Sequence, residues 1–125
     1  MKLGNNEVQL TKIVEKMGLT NLTPQIDTDT KYVTQPDVNR PALQLAGFYD
    51  HFDNERVQII GYVEEAYIET LDRETRVQRY RQLMESNIPC LIFCRSQQPD
   101  QDLLELALKY EIPLLSSDAS TSSFM

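Results

Sequence analysis

One short phrase occurs twice in this chain. Asn87-Ile88-Pro89-Cys90-Leu91-Ile92-Phe93 resembles Glu111-Ile112-Pro113-Leu114-Leu115-Ser116. Each copy follows an amphipathic stretch and opens an apolar run of strand length. Proline is tolerated at a strand's first residue, because no ladder hydrogen bond is lost there. Between the copies, residues 99–110 carry Leu103, Leu104, Leu106, Ala107, Leu108 and Tyr110, a helical stretch. Strand, helix and strand in that order form a βαβ unit, whose strands are parallel and whose crossover is right-handed. Val57-Gln58-Ile59-Ile60, stopped at Gly61, begins a second such unit that ends in the Cys90–Cys94 run. The expected fold is α/β: a three-layer open sheet, mostly parallel, built from βαβ units.

The elements around this frame follow from local signals. Leu10, Ile13, Val14 and Met17 lie on one face of a helix over 8–17, which Gly18 ends. Leu22-Thr23 reads as a short strand before Pro24, residues 25–31 as a loop, and Lys31-Tyr32-Val33 as another strand. Asn39-Arg40-Pro41 opens a short helix ending at Gly47, with Asn39 or Arg40 near its cap and Pro41 in the first turn. Two helices are expected between Gly61 and Asn87, one over 63–70. The second starts at Asp72, a good N-cap, and presents Val77, Tyr80, Leu83 and Met84 on one face. Asn87 suits the left-handed residue that ends it.

Composition excludes several roles. The 125 residues carry 12 Lys and Arg against 19 Asp and Glu, a formal net charge of −7. A nucleic-acid binder needs a basic patch. The one dense basic cluster, Arg73, Arg76, Arg79 and Arg81, spreads around a helix and reads as a solvated face, with partner binding as the alternative. No run approaches the ~20 apolar residues of a membrane span, and the start lacks a signal-peptide core. A cytoplasmic protein without membrane or nucleic-acid partners is expected. Cys90 and Cys94 are four residues apart in one strand, which places them ~13 Å apart. A disulfide tolerates about 7 Å between Cα atoms. Both cysteines are therefore expected as reduced, buried hydrophobes.

The chemistry is defined by what the residues cannot assemble. A phosphate-binding loop needs G-x-x-x-x-G-K-[ST], and none of Gly4, Gly18, Gly47 or Gly61 begins one. Without that grip phosphoryl transfer has no platform, so no catalytic residue is assigned. Asp50-His51-x-Asp53 with Glu55 reads as a solvated turn, not a metal site. Glu64, Glu65 and Glu69 read as exposed helix surface. The candidate ligand site lies beyond the carboxyl ends of the parallel strands, where open sheets bind ligands. Gly61, Arg95, Ser96, Ser116 and Ser117 fall there, and Arg95 with neighbouring hydroxyls would suit an anion. Arg95 as an ordinary surface residue is the competing reading.

Four phrases, in order, resemble the N-terminal domain of bacterial HPr kinase/phosphorylase. They are Asn39-Arg40-Pro41-Ala42-Leu43-Gln44-Leu45-Ala46-Gly47-Phe48, Glu55-Arg56-Val57-Gln58-Ile59-Ile60-Gly61 and Ile88-Pro89-Cys90-Leu91-Ile92. The fourth is Leu103-Leu104-Glu105-Leu106-Ala107, followed by Ile112-Pro113-Leu114-Leu115 and Thr121-Ser122. The match runs from about Val8 to Phe124, and the first two phrases are its most specific part. The resemblance implies a fold like the N-terminal domain of Mur ligases. It implies a parent that phosphorylates a serine of the phosphocarrier HPr with ATP, removes that phosphate by phosphorolysis, and so regulates bacterial carbon metabolism. It also implies a hexamer. Residues 1–117 would be this domain, and 118–125 the start of a linker to an absent C-terminal P-loop kinase domain, where ATP and Mg would bind. No cofactor or metal is expected in the chain itself. Its own role would be assembly and regulation, or alternatively that of a stand-alone module binding a phosphometabolite or nucleotide.

Overall fold

The computed structural model describes residues 7–35 and 37–119. In chain order the elements are β1 (Val8–Gln9), α1 (Leu10–Met17), β2 (Thr20–Asn21), β3 (Tyr32–Val33), β4 (Val38–Asn39) and α2 (Ala42–Leu45). They continue with β5 (Val57–Ile60), α3 (Tyr62–Glu69), α4 (Arg73–Met84), β6 (Leu91–Phe93), α5 (Gln101–Tyr110) and β7 (Leu114–Ser116). The main sheet has five strands in the order β2-β7-β6-β5-β4, and β1 and β3 form a separate antiparallel pair. Its β4–β5, β5–β6 and β6–β7 pairs are parallel, and only β2 runs against its neighbour β7. The three-layer, mostly parallel α/β fold read from the sequence is thus the fold observed.

The register divides the strand residues between two faces. Gln58, Leu91 and Leu114 are partners, as are Ile60, Phe93 and Ser116; Ile59, Ile92 and Leu115 form the row between. Side chains alternate along a strand, so the first two rows face one way and the third faces the other. Ile60, Leu91, Phe93 and Leu114 bury against Leu45 of α2, Ile68 of α3, Tyr80, Leu83 and Met84 of α4, and Leu103, Leu106 and Ala107 of α5. Val57, Ile59, Ile92 and Leu115 meet Leu10, with Ile13 and Val14 of α1 packed alongside. The strands β4 to β7 advance in one direction across the sheet. Right-handed crossovers therefore place α2 to α5 on one side, which leaves α1 alone on the other.

Local chemistry accounts for the helix ends. Asp72 caps α4 by accepting from Thr75 N at 2.8 Å, and Asp100 caps α5 by accepting from Leu103 N at 2.9 Å. Gly18 ends α1 in the left-handed conformation at φ 64°, and Asn87 follows α4 at φ 58°. Both proline-led phrases enter strands as expected, and Leu91 N donates across to Pro113 O at 3.0 Å. Cys90 and Cys94 are free and fully buried in the α1-side cluster.

Several local expectations are corrected. Val8 belongs to a strand paired with β3, so the first helix begins at Leu10. The strand expected at Leu22-Thr23 lies two residues earlier. Thr23 is instead an anchor: its N–H donates to Asn21 Oδ1, and its hydroxyl accepts from Leu114 N at 3.1 Å. Asn39 is no helix cap but part of β4, a parallel edge strand, and α2 starts without a side-chain cap. Of the expected tail, residues 120–125, including Thr121-Ser122, lie outside the described residues.

Candidate functional site

All five predicted site residues sit at the carboxyl ends of β5, β6 and β7. Gly61 follows β5 and begins α3. Ser116 ends β7 and Ser117 follows it, both buried. Arg95 and Ser96 follow β6 in consecutive left-handed conformations, φ 57° and 58°, and are exposed. Such successive turns can offer backbone amides to an anion. Here the amides are engaged: Arg95 N donates to Ala119 O at 2.9 Å and Ser96 N to Ser117 O at 2.7 Å. Ser117 N in turn donates to Phe93 O at 2.9 Å, and its Oγ accepts from Ala119 N at 3.0 Å. The backbone at these strand ends therefore binds the segment leaving β7. The Arg95 guanidinium turns back over the Tyr62 ring, 4.8 Å from its centre.

The polar centre beside this edge was not read from the sequence. Glu64, expected on an exposed helix surface, is only 2% exposed. Its carboxylate takes two bonds from Arg40, Nε to Oε2 at 3.1 Å and NH2 to Oε1 at 3.0 Å. Gly61 N also donates to Glu64 Oε1 at 2.7 Å. Burying a carboxylate is costly unless it is paired and hydrogen-bonded, and these three bonds satisfy it. Next to them, Asn39 Nδ2 donates to Gln58 Oε1 at 2.7 Å, while Gln58 Nε2 donates to Arg56 O at 2.9 Å. Gln58 is fully buried. The Asn39-Arg40 motif thus ties β4 and the entry to α2 onto β5 and α3. One sequence signal pointed this way: a glutamate three residues after a helix-starting glycine is half of a capping box. Glu65, half-buried one residue on, has its carboxyl pushed up by desolvation, with Glu69 adding to the rise.

The reading of the arginine cluster is corrected in part. Arg73 pairs with Asp102 through Nε and NH2 at 3.0 and 2.9 Å, and Arg76 reaches both Asp102 and Asp100. Arg79 donates to Leu45 O at 2.8 Å. Its guanidinium packs against Gly47, whose φ of 94° is what requires glycine there. Arg76 and Arg79 seal the α4–α5 and α2–α4 seams, while Arg73, though paired with Asp102, and Arg81 keep the expected exposed character.

Neither cysteine is prepared as a nucleophile. Burial pushes the Cys90 thiol up to about 12 and raises that of Cys94 as well. A buried, protonated thiol is inert. No group of three or more His, Cys, Asp or Glu among the described residues is placed to hold a metal ion. On the opposite, α1 side, a groove of about 620 Å³ is walled by Val8, Ile13, Met17, Val33, Val38, Val57 and Ile92, with Lys16, Thr34 and Gln35 also lining it. No described helix is long and apolar enough to cross a membrane.

Residues 8–125 match the family model described as HPr Serine kinase N terminus. The chain is 48% identical over 118 residues to the HPr kinase/phosphorylase of Lachnoclostridium phytofermentans, covering 94% of this chain and 38% of that protein. It is 40% identical over 114 residues to that of Caldicellulosiruptor bescii, covering 91% and 37%. The chain therefore spans less than two-fifths of these relatives. Among solved structures, the regulatory region of Clostridium perfringens pyrophosphatase, comprising CBS and DRTGG domains, shares the fold. The TM-score is 0.60 at 16% identity, over 93% of this chain and 44% of that one.

Proposed function

This chain belongs to the HPr serine kinase N-terminal family, and from that premise we propose that it is the non-catalytic assembly and regulatory domain of an HPr kinase/phosphorylase. In this reading the rest of the protein transfers phosphoryl groups from ATP to a serine of HPr and removes them by phosphorolysis, within a cytoplasmic hexamer that regulates carbon metabolism. The observation that carries the non-catalytic role is the state of the strand ends. The backbone amides of Arg95 and Ser96, at the candidate site, are held by carbonyls of the segment after β7. No glycine-rich loop replaces them, and phosphoryl transfer depends on such positioning.

The test compares the 125-residue chain with the longer gene product, each given ATP, Mg and HPr. The expected result is phosphoserine on HPr with the longer protein only; phosphoserine formed by the short chain would refute the non-catalytic role. Light scattering on both forms then asks where assembly resides.

A second reading, a ligand-binding regulatory module, draws on the exposed Arg95–Tyr62 pair at the candidate site. The pyrophosphatase regulatory region with the same fold is described in complex with its activator, diadenosine tetraphosphate. A phosphorylated ligand on Arg95, Ser96 and the neighbouring strand ends would raise the melting temperature, because it binds only the folded state. Arg95→Ala would abolish that rise.

A further inference from the structure

Four helices cover one face of the main sheet and α1 alone covers the other. What α1 leaves uncovered is the hollow of about 620 Å³. Its floor is the sheet itself. Val38 and Val57 are register partners on β4 and β5, and Ile92 of β6 lies opposite Ile59, two residues further along β5. Helix α1 contributes Ile13, Lys16 and Met17, at the i, i+3 and i+4 positions that share one helix face. The β1–β3 pair contributes Val8 and Val33, which are partners across it. Most of this lining is hydrocarbon, yet Val8 and Met17 remain 46% and 44% exposed. A concave apolar space of this size, with a few polar groups in it, has the form of a small-molecule site.

Charge selects the kind of molecule. The chain carries a net −7, but no Asp or Glu lines the hollow, and Lys16 is the one charged residue among those that do. Lys16 is exposed and has no ion-pair partner among the described residues. The other polar lining residues, Thr34 and Gln35, are uncharged, and Gln35 is turned toward Glu55, to which it donates at 3.5 Å. A neutral hydrocarbon would leave the ammonium without a counter-charge, and a cation would be repelled by it. An apolar body with one anionic head suits both the walls and Lys16.

We infer that the hollow between α1 and the β4–β6 part of the sheet binds an amphipathic monoanion, a carboxylate carried on a hydrocarbon chain. The hydrocarbon lies on Val57, Ile92 and Met17, and the carboxylate meets Lys16. The site shares no residue with the strand ends around Arg95, and it does not depend on the kinase reading. Cys90 and Cys94 belong to the same buried cluster as Val57 and Ile92. An occupant would therefore hold the α1 side closed and protect both thiols, because it binds only the folded state.

The experiment uses decanoate, decanol and decylamine below their micelle concentrations, on the 125-residue chain and on the longer gene product. Calorimetry reads binding, and thiol labelling reads protection. The expected result is one decanoate per chain, bound about threefold more tightly than decanol, as an exposed ion pair provides, with labelling of Cys90 and Cys94 slowed. Met17→Trp, at a half-exposed wall position, should fill the hollow and abolish both effects. Lys16→Glu, at an exposed position, should reverse the preference in favour of decylamine. Binding that ignores the head group, survives Met17→Trp or speeds labelling is surfactant adsorption and overturns the inference. Binding by the short chain that the longer product lacks also overturns it, since the rest of that protein would then cover the hollow. So does a dimer in light scattering that decanoate dissociates, which would make a second copy the occupant.

Discussion

The two faces of the sheet are built to different standards. One lies under four helices, and its core runs unbroken from Leu45 to Leu114. The other lies under the single helix α1, whose Leu10 is fully buried while the groove beside it stays open. Both start from the same strands, whose residues are buried on each side. The difference comes from topology. Right-handed crossovers between strands that advance in one direction must put all their helices on the same side. The second face receives only what precedes the first parallel strand. A face covered by one eight-residue helix has fewer packing partners, so it is the part expected to open first.

The largest expected effects test that contrast directly. Phe93→Ala, on the four-helix side, would cost about 4 kcal/mol, because large-to-small changes in a packed core leave a cavity. Leu10→Ala, equally buried on the α1 side, would cost about 2.5 kcal/mol, since a site next to an open groove collapses more easily. Chemical denaturation of both variants gives the ranking, and equal losses would remove the distinction between the faces.

Glu64→Ala comes next. Breaking a buried pair usually costs about 3–5 kcal/mol because a charge is left unpaired. Arg40 keeps a third of its side chain in water, so the loss here would be about 2 kcal/mol after allowing for solvent screening. Glu64→Gln, which can still accept from Gly61 N, would retain part of it. A double-mutant cycle with Arg40→Ala isolates the pair.

Thiol labelling reports on the α1 side alone, because Cys90 and Cys94 both belong to its cluster. In native protein both thiols would be inert, as their burial and raised pKa values dictate. Slow labelling would pass through local opening under α1, at a lower free energy than global unfolding by denaturant. If the two free energies coincide, the α1 side is not a separate unit.

The smallest effect is acid sensitivity on the other side. The backbone amide of Thr75 holds the Asp72 carboxyl below its usual value, and the Arg73 guanidinium does the same for Asp102. Their folded-state pKa values lie below the unfolded ones, so their stabilisation is complete above about pH 4 and disappears as pH falls through the folded values. Glu65, shifted up, acts in the opposite sense and at higher pH, above its unfolded value. Melting temperatures between about pH 5 and 2.5 should fall, and Asp72→Asn with Asp102→Asn should flatten the slope. Cysteine labelling from the α1 side should not follow it.

What was legible in the sequence was local. The three central strands, the caps at Gly18 and Asp72 and the left-handed Asn87 each depend on residues within one turn of each other. The resemblance carried the family membership. Two of the two-residue strands escaped: β4 has no periodicity to detect, and Val8 of β1 pairs with Val33, far along the chain. The candidate site was legible in its place but not in its condition, since Gly61, Arg95, Ser96, Ser116 and Ser117 do gather at the strand ends. That the amides of Arg95 and Ser96 would be taken by Ser117 and Ala119 depends on two loops meeting.

The same division holds for charge. By itself the sequence determined a reduced, acidic α/β domain with no phosphate-binding loop, because composition, spacing and motif are properties of the chain alone. Only the tertiary structure decided which glutamate is buried and which arginines serve the interior. Glu64 looks like any surface residue of a helix until Arg40 arrives from 24 positions away. Arg76 looks solvated until Asp100 and Asp102 pack beside it. Whether a charge faces water or a partner is fixed by distance in space, and a sequence records only distance along the chain.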